Sequence, residues 1–261
     1  MFASNPFAEL SASIPPIAMQ AYVVLMVVLV AAGTLFDIVH KRSAAYFFNN
    51  WRTSKAKGTQ PVGVMALVIL AIQTGVVDVL TSAEFCTARR RIAHLLTMYG
   101  FLAYVVTTFI MVFWYPTPAA PAPALVPLLW HLGALMVCGG GYWFWFFIRV
   151  DVAAEGNSPF RVVRADLFIL SLLASATLGL IWAVLQLTEA PGSGLFLALY
   201  LIATTVLFGS VPWSKFSHMF FKPAAAFEKR VADANGSRSN LPGPADQPEQ
   251  YGSARRQPQH Y

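Results

Sequence analysis

The side chains with the widest chemical reach in this chain of 261 residues are five histidines, His40, His94, His131, His218 and His260. Four stand in or beside long apolar runs, where an ionisable group is costly unless it faces a protein interior and meets a partner. His94 lies one turn inside RRRIAHLLTMYGFLAYVVTTFIMVFWYP, residues 89–116, and His218 lies in VPWSKFSHMFFKP, residues 211–223. The two are expected at the same depth on different helices. Imidazoles so placed can supply the fifth and sixth ligands of a haem iron inside a helical bundle. His131 sits about two turns from the opposite face and does not share that depth. A plainer reading stands beside this one, in which a histidine near an interface simply reaches headgroups or water.

Other chemistries fit less well. A proton pathway would need carboxylates within the membrane, and Asp37, Asp78 and Asp166 all fall at helix ends. A transporter would tend to show repeated halves, and no internal repeat is visible. The chain has no HExxH, no serine elbow and no phosphate-binding loop. Cys86 and Cys138 make no metal-ligand spacing. Electron transfer therefore leads by elimination as well as by placement.

The elements that must position these residues are apolar helices. The chain is 57% hydrophobic and 11% charged, against roughly 25% charged in an ordinary soluble domain. Its mean hydropathy is +0.57. The formal net charge of +6 suggests no nucleic-acid partner, because lysines and arginines cluster between hydrophobic runs, as the positive-inside bias requires. The fold expected is an all-α integral membrane bundle of about five spans: residues 17–39, 89–116, 126–148, 166–187 and 195–211. An apolar run of ~20 residues covers the ~30 Å hydrocarbon layer. Residues 61–80 are apolar but flanked by basic clusters on both sides, and Gln73, Gly75 and Asp78 need a protein or water neighbour. They are expected as an interfacial or re-entrant segment, with a sixth span as the alternative.

The expected division is a short non-cytoplasmic tail over residues 1–16, a transmembrane bundle over 17–222, and a cytoplasmic tail over 223–261, disordered from Asp233 onward because its composition cannot bury a core. The glycines Gly139, Gly140 and Gly141 mark a kink or a close approach to another helix or to a planar cofactor.

Two stretches, DVLTSAEFCTARRRIAHLLTMYGF (residues 78–101) and VPWSKFSHMFFKP, resemble parts of the cytochrome b membrane subunits of the nitrate reductase gamma, heterodisulfide reductase (HdrE) and QmoC group. The whole chain is similar, in hydropathy and order of spans, to the AprM-like membrane anchors of dissimilatory adenylylsulfate reductase in sulfur oxidisers. The resemblance implies a multi-pass anchor in the bacterial inner (cytoplasmic) membrane, its C-terminus cytoplasmic. Such an anchor passes electrons between a cytoplasmic iron–sulfur flavoenzyme, by resemblance adenylylsulfate reductase, and the membrane quinone pool, with quinone as substrate. It is a non-catalytic or quinone-reactive subunit of an oxidoreductase complex. His94 and His218 match the positions that ligate the haem b nearer the cytoplasm. The pattern's other two histidines fall ten residues after His94 and eighteen before His218, where this chain has Tyr104 and Tyr200. At most one haem b of the familiar kind is then implied. Two rivals predict different observables: a structural anchor recruits an enzyme without any haem spectrum, and a small-molecule transporter moves substrate without a redox partner.

Overall fold

A computed structural model describes residues 2–40, 42–83, 85, 87–149, 162–214, 216 and 218–238, apart from the side chains of Ser43 and His218. All regular structure among the described residues is helical, with no strand, as the composition predicts. The helices are α1 (Pro6–Leu10), α2 (Pro16–His40), α3 (Ser43–Lys57), α4 (Val64–Gln73), α5 (Ala88–Trp114), α6 (Leu125–Trp143), α7 (Leu167–Leu187), α8 (Ser193–Gly209) and α9 (His218–Ala234). Thr74–Leu80 and Phe144–Ile148 continue α4 and α6 as π-helix, and Arg164–Asp166 opens α7 as a 3-10 turn.

Four of these segments are long and apolar enough to cross a membrane: Pro16–His40, Ala88–Trp114, Leu125–Ile148 and Arg164–Leu187. They coincide with four of the five expected spans. The fifth, α8, has 17 residues. At 1.5 Å per residue it reaches about 25 Å, slightly short of the hydrocarbon thickness. The helix expected to lie at the interface, Val64–Leu80, is likewise shorter than the four.

The chain divides into two compact units. The first comprises residues 1–38 and 82–218, the second residues 39–81 and 219–261. In the first, α5 and α6 share the most extensive contact. A Cβ on Gly100 would come within 2.7 Å of the Gly133 carbonyl oxygen, so the two backbones touch where both residues lack side chains. Small residues let helices approach this closely when hydrophobic expulsion from water no longer drives them together. The glycine triplet works in the same way. Gly140 packs against the Ala93 carbonyl and Gly141 against Leu173 of α7, whereas Gly139 meets nothing among the described residues. Helix packing, rather than a planar cofactor, occupies the two glycine faces that touch anything. Between α7 and α8 the contact is a buried hydroxyl pair, Ser175 to Thr204, at 2.8 Å.

Ahead of α2 the structure adds order where a tail was expected. Asn5 caps α1, its Oδ1 accepting from the Phe7 N–H at 3.0 Å, and its amide donates to the Tyr115 carbonyl at 2.8 Å. Phe7 and Leu10 are buried, with the Phe7 ring 5.1 Å from Trp182 and 5.8 Å from Trp130. The cap and two apolar anchors hold down a segment that its composition alone leaves loose.

In the second unit, α9 runs through Pro223 to Ala234, well past the point where the chain was expected to lose a core. Its apolar residues explain the difference. Phe227 stacks on Trp51 of α3 at 5.8 Å, and Ala226, Val231 and Ala232 are buried. The end of α9 is clasped by polar groups. Asn235 donates to the Ser54 hydroxyl at 3.0 Å, and its carbonyl accepts from the Thr59 N–H at 2.9 Å. The expected tail beyond residue 238 lies outside the described residues.

Candidate functional site

His94 stands near the start of α5, half-buried beside Ala93, which is fully buried. Its Nδ1 lies 3.1 Å from the hydroxyl of Ser82, and the Phe85 ring is 4.9 Å from the imidazole. Ser82 is 2% exposed and has φ of +49°, in the left-handed region that residues other than glycine seldom adopt. The turn closes through the Phe85 N–H donating to the Ser82 carbonyl at 3.3 Å. Hydroxyl and phenyl group are thereby set against the same imidazole. Nothing in the local sequence marks Ser82, because its role depends on a backbone angle.

The face of α5 that carries His94 carries Phe101 seven residues on, since seven residues complete almost two turns. Phe101 meets Phe216 at 6.3 Å and Phe208 at 6.5 Å, and Phe216 also packs edge-on against Phe168 of α7 at 5.4 Å. Phe216 is 2% exposed. It ends a tight turn in which the Trp213 and Ser214 N–H groups both donate to the Ser210 carbonyl at 2.9 Å. Two residues later His218 opens α9. The structure thus brings the segment leading into His218 onto the His94-bearing face of α5. The His218 side chain, like Cys86, lies outside the described residues.

Tyr104 and Tyr200 come together farther along the bundle. Each is 5% exposed. Tyr104 is 5.0 Å from Trp130, and Tyr200 stacks on Trp182 at 5.7 Å. A Cβ on Gly179 would lie 2.5 Å from the Tyr104 hydroxyl and 3.2 Å from the Tyr200 ring, so the space left by that glycine is filled by tyrosine. The room a second planar cofactor would need is taken up by four aromatic side chains, and the residues at this depth do not fit a haem.

The remaining histidines are accounted for separately. His131 is 2% exposed, its Nδ1 within 2.8 Å of the Pro127 carbonyl one turn back and its ring edge-on to Phe2 at 5.2 Å. This is a core histidine satisfied by its own helix. His40 ends α2 and is exposed. His260 lies outside the described residues. Among the described residues no three His, Cys, Asp or Glu side chains gather to hold a metal ion. Cys138 is half-buried, 3.5 Å from the Thr177 hydroxyl. Arg149, at the end of the second π-helix, forms an ion pair with Asp166, which also accepts from the Val163 N–H at 2.9 Å. Its guanidinium sits 3.9 Å over the Trp145 ring. This joins the end of α6 to the start of α7, a link for which the sequence offers only two opposite charges across a loop.

Fold and site together define an all-helical bundle of membrane-spanning type, with one ordered histidine turn at the head of α5 and an aromatic-filled core beyond it. The chain belongs to the CitB family, described as citrate utilization protein B, whose model matches residues 64–239, about two thirds of the chain. The match takes in His94, His131 and His218 and leaves out α2 and α3. No curated protein and no solved structure matches the chain.

Proposed function

We propose that this chain is the membrane anchor and electron-transfer subunit of an oxidoreductase complex, linking a cytoplasmic redox enzyme to the membrane quinone pool. One haem b, held by His94 and His218, fits the proposal; a second does not, because Tyr104, Tyr200, Trp130 and Trp182 fill the deeper part of the core. The observation that carries the reading is the His94 imidazole, engaged at Nδ1 by Ser82 on the helix face that packs against the segment leading into His218. A hydrogen bond at one ring nitrogen fixes the orientation of the imidazole. Bound there, haem b supplies a one-electron couple between the partner enzyme and quinone. The chain's own residues hold the ligand in register, exclude water through the Phe101, Phe208 and Phe216 cluster, and keep the redox site in the bilayer.

By resemblance the partner is adenylylsulfate reductase, an iron–sulfur flavoenzyme, docked on the basic segments Lys41 to Lys57 and Arg89 to Arg91 of a C-terminus-inside inner membrane protein. Positive-inside loops and acidic phospholipid account for the same charges without a partner. The family description suggests a second partner reading, in which the subunit serves an enzyme of citrate utilisation.

The test is a reduced-minus-oxidised absorption spectrum with pyridine haemochrome quantification, on detergent-purified protein from a haem-replete host. About one haem b per chain, lost on His94→Ala or His218→Ala, is the expected result. A folded, colourless protein would leave a structural anchor without cofactor. Pull-down with each candidate enzyme separates the two partner readings.

A further inference from the structure

We infer that the flank of α3 formed by Phe48, Arg52 and Lys55 is a docking surface for acidic phospholipid: the Phe48 ring enters the boundary between headgroups and acyl chains, and the two cations hold headgroup phosphates. The inference goes beyond the reading above and does not depend on it, since it needs neither haem nor a partner enzyme.

Chain connectivity brings α3 to the bilayer surface. It begins at Ser43, three residues after His40 ends α2, a segment of membrane-spanning length. Arg42, between them, has φ of +53°, which stops one helix from running on into the other. Contacts within the second unit settle the inner face of α3. Trp51 stacks on Phe227 at 5.8 Å, and the Ser54 hydroxyl accepts from the Asn235 amide at 3.0 Å. Phe48, Arg52 and Lys55 recur at i, i+4 and i+7, so they form one stripe beside that face. Phe48 is 58% exposed, its ring edge-on to Phe47 at 5.5 Å, and both cations are exposed.

The charge on this stripe has no counterpart nearby in the chain. No Asp or Glu occurs between Asp37 and Asp78. Asp78 pairs with Arg230 and Asp233 with Arg238, so two of the second unit's carboxylates are committed to other cations. Arg52 and Lys55 form no ion pair among the described residues. An exposed aromatic ring in line with two unpaired cations is the pattern of a helix lying in the interface plane, where the ring meets the acyl boundary and the cations meet the negative surface of acidic lipid. A protein partner would satisfy the charges as well. Lipid is favoured because the first turn of α3 is tethered to the end of a spanning helix, which keeps the stripe within reach of headgroups whether or not a partner is bound.

The experiment uses the full chain with Cys86→Ser and Cys138→Ala, carrying one spin label at Phe48→Cys or at Thr53→Cys. Thr53 is exposed and lies about 140° round the helix from Phe48. Nanodiscs of phosphatidylcholine alone are compared with nanodiscs that also contain phosphatidylglycerol. Collision with oxygen against a water-soluble nickel chelate reports the depth of each label. The Phe48 label should be oxygen-accessible and shielded from nickel, more deeply so with phosphatidylglycerol, and the Thr53 label should be open to nickel. Arg52→Gln with Lys55→Gln should abolish the difference between the two lipid compositions. Phosphatidylglycerol titrated into the detergent-solubilised protein should bind about 5-fold more weakly for each of these cations removed. Lys57→Gln, on another side of the helix, should leave that affinity unchanged. A Phe48 label open to nickel in both nanodiscs overturns the inference, and shielding that appears only when the partner enzyme is added gives the stripe to a protein instead. Insertion that is equal in both lipids, or unmoved by the double substitution, overturns the selection of acidic lipid.

Discussion

Arg230 and Asp78 meet as a forked pair, Nε to Oδ2 at 2.6 Å and Nη2 to Oδ1 at 2.9 Å, joining α9 to the π-helical end of the Val64–Leu80 segment. Asp78 is 12% exposed and Arg230 is 29% exposed. The bidentate geometry makes this pair stronger than a solvated one, and its partial burial makes it costly to break from one side. Arg230→Met should destabilise the protein by about 2 kcal/mol, between the values for exposed and fully buried pairs. Asp78→Asn combined with Arg230→Met should recover part of that loss. Thermal unfolding in detergent measures both, and an unchanged midpoint in the single variant would show the pair contributes nothing.

The two adjacent glycines of α6 should respond with opposite signs. Gly139→Ala adds a methyl group where nothing lies within 4 Å and should be neutral or stabilise by up to ~1 kcal/mol through helix propensity. Gly140→Ala drives a Cβ to 2.6 Å from the Ala93 carbonyl oxygen, which is backbone and cannot turn aside. A loss of about 1–3 kcal/mol is expected as α5 and α6 separate. Equal effects of the two substitutions would contradict the close α5–α6 contact.

Gly179 and Tyr104 should be energetically coupled. Gly179→Ala places its methyl group 2.5 Å from the Tyr104 hydroxyl, so it should destabilise the wild type and do so less in a Tyr104→Phe background. A coupling of about 1 kcal/mol is the expected result of the double-mutant cycle. Strict additivity would mean the two groups do not share the space.

Burial pushes the Glu228 carboxyl, on α9, above the usual carboxylate range. The folded state then binds this proton more tightly than the unfolded chain, so the group favours folding at low pH and loses that contribution as pH rises through its folded-state pKa. Glu228→Gln should raise the unfolding midpoint at neutral pH and match the wild type at a pH below the ordinary glutamate pKa of about 4.3. A midpoint difference that does not change with pH would show that burial leaves this carboxyl unperturbed.

Much of the site was legible because membrane solubility constrains sequence so strongly. His94 stood out as an imidazole one turn inside an apolar run, and the demand for a neighbour at Asp78 is met by Arg230. Ser82 was not legible, since a serine before a helix reads as an ordinary turn residue until its φ is known. Nor was the α9 core, because the Ala-rich stretch after Pro223 looks polar overall and becomes useful only through Trp51 of a distant helix.

The sequence by itself determined the all-helical class and the limits of the long apolar helices. These follow from local causes: the length of apolar runs, the position of charges and the obligation of each backbone group in lipid to bond within its own helix. Only the tertiary structure decided which glycines touch backbone, which tyrosines fill the core and which hydroxyl meets His94. Those are contacts between residues far apart in the chain, set by helix rotation and by single backbone angles that residue identity leaves open.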